Sequence, residues 1–96
     1  MAVSQAGYYW GNYSYTYLEA VRKPSAEATE KHIKELREIL DKSEKEGLKP
    51  PPGLNAELAY WLMKSEGGNT GEAATFFSRE VDAYPESKIF VDRLTN

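Results

Sequence analysis

Three consecutive prolines, Pro50, Pro51 and Pro52, followed by Gly53, limit what this chain can fold into more than any other stretch. Each ring fixes φ and withholds an N–H, and the residue before a proline is pushed toward extended geometry. A helix arriving from upstream must be finished there. The same rings suit the first turn of a following helix, where their missing donors would have had no partner anyway. The run therefore predicts a rigid corner that ends one helix and aims the next.

Both flanks carry helical patterns. Upstream, Ser25 to Lys45 reads as a helix: Ser25 can cap the first turn, Glu27 and Glu30 lie at the positive end of the dipole, and Gly47 supplies a left-handed stop. Ile33, Leu36 and Leu40 form a narrow apolar stripe, flanked by acid-first i, i+4 pairs such as Glu38 with Lys42 and Asp41 with Lys45. Downstream, Leu54, Leu58, Trp61 and Leu62 recur at helical spacing, with Ala56 and Ala59 small enough for close approach of a neighbour. Asn69 and Glu72 then form a capping box for a helix whose inner face holds Ala73, Phe77, Val81 and Tyr84, widened by Ala74 and Phe76 and stopped by Pro85. Phe90 and Leu94, four apart, mark a short capping segment.

The N-terminal stretch "YYWGNYSYTYLEAVRK" is ambiguous. Tyr13, Tyr15 and Tyr17 alternate with Ser14 and Thr16 in the period of a strand, while Trp10, Tyr13, Tyr17 and Val21 also fit a helical stripe. The helix is preferred because no second convincing strand exists to pair with this one. The expected fold class is all-α. Residues 1–7 are expected to form a disordered tether and residues 8–96 a single helical domain.

Pro85 lies thirty-four residues after Pro51, the length of a tetratricopeptide helix hairpin. Ala73 and Phe77 hold the A-x-x-x-F relation of the second repeat helix, and Pro85 falls eight after Phe77. The first half fits more loosely, and no upstream unit repeats the spacing. The expectation is tetratricopeptide-like antiparallel hairpins with a short C-terminal capping helix. An unrelated helical bundle is the alternative.

Composition narrows the function classes. A net charge of −3, from 15 acids and 12 bases, gives no field that would draw in phosphate backbones, which argues against nucleic acid. The absence of cysteine excludes disulfides, thiolate metal sites and a thiol nucleophile within this chain. No apolar run approaches the roughly 20 residues that span a bilayer.

Chemistry-bearing motifs are few. His32 is the only histidine, so a metal site would need several carboxylates as co-ligands; with charged residues on both sides it is expected at the surface. No G-x-S-x-G, P-loop or G-x-G-x-x-G pattern occurs. Glu57, Glu72, Glu80, Asp82, Glu86 and Asp92 could supply an acid–base pair, but solvated faces carry such residues routinely. No catalytic residue, metal or cofactor is expected. Trp10, Tyr13 and Tyr17 are expected in the core, whereas Tyr8, Tyr15, Tyr60 and Met63 fall off the apolar stripes and are the candidate partner-contact residues.

Taken in order, "YYWGNY", "PPGLNAELAYWL", "GNTGEAATFFSRE" and "YPESKIFVDRL" resemble a family of short lipoproteins of unknown function from Gram-negative bacteria, over about Tyr8 to Leu94. The resemblance implies a lipid anchor on the periplasmic side of the outer membrane, carried by a segment that this sequence does not contain. It also implies an envelope protein as partner, such as a curli-secretion-type lipoprotein. It carries no functional residue. The function expected on this basis is a non-catalytic adaptor that binds a partner through a helical groove or the N-terminal aromatics, with regulation or binding of peptidoglycan synthesis as the alternative.

Overall fold

A computed structural model describes residues 7–65, 68 and 70–95, the side chains of 94 and 95 excepted. They form five α-helices, α1 (Tyr13–Arg22), α2 (Ala26–Lys45), α3 (Leu54–Lys64), α4 (Thr70–Ala83) and α5 (Lys88–Thr95), with a 3-10 turn at Pro85–Ser87. The class is all-α; among the described residues there is no strand. Most of the expected tether lies outside these residues, as does Asn69 of the expected capping box.

The N-terminal aromatic stretch is helical, but it starts later than its periodicity suggests. Gly11 adopts φ +49° and turns the chain, and Asn12 N–H is held by Glu35 Oε2 of α2 at 3.0 Å, so the first helical residue is Tyr13. Trp10 therefore stands before the helix. The buried face of α1 is Thr16 and Ala20, short side chains that let it approach α2 closely, whereas Tyr17 and Val21 reach solvent.

Helix α2 begins and ends as its local signals dictate. Ser25 Oγ accepts Ala28 N–H at 3.0 Å, and Gly47, at φ +68°, lets Leu48 N–H return to the Ser43 carbonyl at 2.8 Å. Its apolar stripe is broader than expected and centred differently. Leu36 and Ile39 are fully buried, Ile33 nearly so, and Leu40 only in part, because α2 packs against α1 on one side and α3 on the other. Of the anticipated pairs on this helix, Lys45–Asp41 forms at 3.1 Å, whereas Lys42 turns to Glu46 and Lys31 to Glu19 of α1.

The corner is built differently from a helix opened by prolines. Helix α2 stops at Gly47, and the three prolines precede α3, whose N-cap is Gly53 at φ +85°. Pro51 is fully buried and its carbonyl receives Leu54 N–H at 3.1 Å. Gly53 has no side chain to cap α3, and the cap comes from another helix: Glu80 of α4 accepts the N–H groups of Gly53 at 3.0 Å and Ala56 at 3.2 Å. The Tyr84 hydroxyl donates to the Pro50 carbonyl, and Lys49 Nζ sits 4.3 Å from the Tyr84 ring centroid. Glu80 is 1% exposed, so the expectation that it belongs to a solvated face is wrong.

Helix α3 is the centre of the molecule. Leu54, Ala56, Leu58, Ala59 and Leu62 are buried, and Ala56 and Ala59 let α2 and α4 approach on either side. Helix α4 contributes Ala73, Phe76 and Phe77, and Arg37 Nη1 and Nη2 tie it to α2 through two 2.8 Å bonds to Glu72. Ala74, expected inward, is exposed. From α5 it is Val91 that enters the core, while Phe90 is 53% exposed; the Leu94 side chain lies outside the described residues.

Candidate functional site

The most concentrated polar chemistry lies where α1, α2 and α3 meet, around Glu57. Its Oε2 accepts from His32 Nε2 at 2.8 Å and from Trp61 Nε1, one turn along α3, at 3.0 Å; its Oε1 accepts from the Tyr13 hydroxyl. His32 Nδ1 lies 2.7 Å from Thr16 Oγ1, which also reaches the Tyr13 carbonyl at 3.2 Å. The imidazole is enclosed edge-to-face by Tyr13, Tyr17 and Trp61, with ring centroids 5.4, 5.7 and 5.5 Å away.

His32 is 0% exposed, which corrects its expected surface position. Charged sequence neighbours say little about a helical residue, since successive side chains point about 100° apart. The useful signal is that Ala28 and Leu36, four residues either way, are both buried, so His32 continues their face.

The arrangement is fully satisfied around the ring. With Nε2–H donating to Glu57, the neutral imidazole accepts the Thr16 hydroxyl at Nδ1; when the ring is doubly protonated, the hydroxyl turns to the Tyr13 carbonyl and accepts instead. Hydroxyl, imidazole and carboxylate stand in the order of a nucleophile relay. Thr16 is 4% exposed, and the array links α1, α2 and α3. Burial pushes the Glu57 carboxyl up, but the hydrogen bonds from His32, Tyr13 and Trp61 act the other way and together hold it below its ordinary range. Burial first, and then its bond to Glu57, pushes the Tyr13 phenol well above its ordinary value.

The Glu57 side chain is 22% exposed, and it lines a groove of about 580 Å³ between α1, α3 and α5. Tyr13, Tyr17 and Val21 line it from α1, Tyr60 and Trp61 from α3, and Phe90 from α5. Tyr13 and Tyr17 stack with centroids 5.7 Å apart and planes 10° from parallel, so the α1 side is one continuous aromatic surface.

The four candidate contact residues do not converge on this groove. Tyr60 lines it, and Met63, three residues on, is exposed on a neighbouring part of α3. Tyr15 is 63% exposed but beside the α1–α2 cleft, with Lys31 Nζ 5.5 Å from its ring centroid. Tyr8 precedes α1, is half-buried and hydrogen-bonds with Tyr84. Tyr17, read as core, is instead a groove residue, and Glu57, Val21 and Phe90 join it through contacts between helices that periodicity within one helix does not report.

A family model described as "Domain of unknown function (DUF4810)" matches residues 8–94. No curated protein and no solved structure matches the chain.

Proposed function

The chain belongs to the DUF4810 family of domains of unknown function, and from that premise we propose that it is a non-catalytic adaptor domain that binds a partner protein in the α1–α3–α5 groove. One observation carries this reading. Tyr17, Val21, Tyr60 and Phe90 are exposed large apolar residues from three different helices, and all four border the same groove. Scattered exposed apolar residues need no explanation, but a gathered set of them rimming a concave surface is what association interfaces present. Tyrosine is well suited to the role, because its ring buries apolar area while its hydroxyl stays hydrogen-bonded.

In this reading the α1–α2 and α3–α4 hairpins are tetratricopeptide-like, with α5 as the capping helix, and the groove is the concave face of the array. The sequence resemblance further supports an outer-membrane lipoprotein whose domain faces the periplasm and meets an envelope protein there. Fractionation of the full gene product in its native cells tests the location.

A photo-crosslinking residue at position 60, introduced into the protein in its native cells, tests the binding role. The expected result is a discrete adduct with an envelope protein, lost in Tyr17→Ala and Phe90→Ala variants that keep their helical circular-dichroism spectrum. An adduct that persists in both variants, or no adduct from position 60, overturns the groove as the contact surface.

A further inference from the structure

The groove is aromatic on its sides, and among the described residues its lining contains one charged group, Glu57. Five rings border it, those of Tyr13, Tyr17, Tyr60, Trp61 and Phe90, and no lysine or arginine does. Aromatic faces beside a carboxylate form a setting that favours a cation, since the ring quadrupole and the full charge act with the same sign.

The acceptor geometry says more. Glu57 Oε2 already receives two donors, His32 Nε2 and Trp61 Nε1, whereas Oε1 receives only the Tyr13 hydroxyl. A carboxylate offers about four acceptor positions, so the position left over is a single one on Oε1. The side chain is 22% exposed and lines the groove.

We propose that the groove is a receptor for a lysine side chain of the partner polypeptide, its ammonium donating to Glu57 Oε1 and its methylene stem lying along the rings of Tyr13, Tyr17 and Tyr60. The proposal rests on the partner-binding reading above and gives that partner its chemistry. Lysine fits better than arginine because a guanidinium fork pairs with both oxygens of a carboxylate, and Oε2 is filled. Within the protein itself a lysine already pairs with one of these rings: Lys64 Nζ lies 5.1 Å from the Tyr60 centroid. At about 580 Å³ the groove has more room than one aminobutyl chain fills, which leaves space for residues flanking the lysine.

The test uses the whole 96-residue chain. The Trp61 indole N–H, bonded to Glu57, is a direct NMR reporter for the site. It is followed during titration with acetyl-Leu-Lys-Leu-amide and with the same peptide carrying norleucine or arginine in place of lysine. The lysine peptide is expected to shift the Trp61 signal and to bind roughly tenfold more tightly than the norleucine peptide, with the preference abolished by Glu57→Gln. The comparison between peptides needs no variant, so it decides the matter even if Glu57→Gln unfolds. Equal binding of lysine and norleucine peptides overturns the cation assignment while leaving an apolar partner segment in the groove. Tighter binding of the arginine peptide overturns the choice of lysine. No response at Trp61 to any of the three overturns the proposal, and the crosslink from position 60 then still judges the partner-binding reading separately.

Discussion

Glu80 stands 27 residues from Gly53 in sequence, yet its carboxylate caps the helix that Gly53 begins, accepting Gly53 N–H at 3.0 Å and Ala56 N–H at 3.2 Å. The N-terminus of α3 is therefore completed by α4. This joins two otherwise separate features, the proline corner and the second hairpin, into one unit: the prolines remove donors before the helix, and Glu80 satisfies two of those that remain. A negative group there also complements the helix dipole.

Glu80→Ala is accordingly expected to cost about 2–4 kcal/mol, since it leaves the Gly53 and buried Ala56 N–H groups without their acceptor and truncates a buried side chain. Glu38→Ala, on the exposed face of α2, should stay within about 0.5 kcal/mol. Urea unfolding of both variants checks this. Equal losses would mean that the cap contributes nothing beyond an ordinary surface acid.

What was legible in the sequence follows the range over which each signal acts. Ser25, Gly47 and the prolines work through backbone geometry within a few residues, and the boundaries of α2 and the corner could be placed from them alone. His32, Glu57 and Glu80 are different, because what holds each of them comes from another helix: His32 meets Thr16 across 16 residues and Glu57 across 25. Read alone, each is one more polar residue on an amphipathic helix. The same limit applies to α5, whose existence was legible but whose inner face, with Val91 inside and Phe90 outside, was not, because a helix of eight residues carries too few turns to fix its phase.

The Glu57 network predicts how stability depends on acid. The folded carboxyl is held below its ordinary value, so the folded state binds fewer protons there than the unfolded chain. Its contribution is complete above the unfolded value of about 4.3 and is lost as pH falls through the lower, folded value. Glu57→Gln should lower stability at neutral pH and flatten the acid limb of the curve. The Tyr13 phenol acts at the other end: raised in the fold, it contributes below its ordinary value of about 10 and loses that contribution as pH rises through the folded value. Tyr13→Phe should flatten the alkaline limb and, by removing one of the three bonds that hold the Glu57 carboxyl down, part of the acid limb as well. Denaturant midpoints measured across pH for the two variants check both signs, and identical profiles for variant and parent would refute the coupling.

Gly11 is a position where a methyl group cannot be added cheaply. Its φ of +49° disfavours any L side chain, and an added Cβ would come within 2.5 Å of Glu35 Oε2 and 3.3 Å of Ile39 Cγ1. Gly11→Ala is expected to cost about 1–3 kcal/mol. Because Glu35 also receives Asn12 N–H, the change should loosen the start of α1 from α2. The double variant Gly11→Ala, Glu35→Ala relieves the steric part only. It should therefore lose less than the sum of the single changes, by thermal unfolding, and strict additivity would show that the clash is avoided by a small backbone shift.

Ser43 points the other way, toward a gain. It is buried on the inner face of α2, and its hydroxyl has no hydrogen-bond partner among the described residues. The hydroxyl loses its hydration on folding without recovering a bond, whereas alanine loses nothing and is the better helix former. Ser43→Ala is expected to stabilise the protein by about 0.5–1.5 kcal/mol, which raises the melting temperature by several degrees for a domain of this size. The Ser43 carbonyl, which receives Leu48 N–H at the end of the helix, is untouched by the change. A lower melting temperature would show that the hydroxyl finds a bond in solution, and that this end of α2 is held by the side chain as well as by the Gly47 turn.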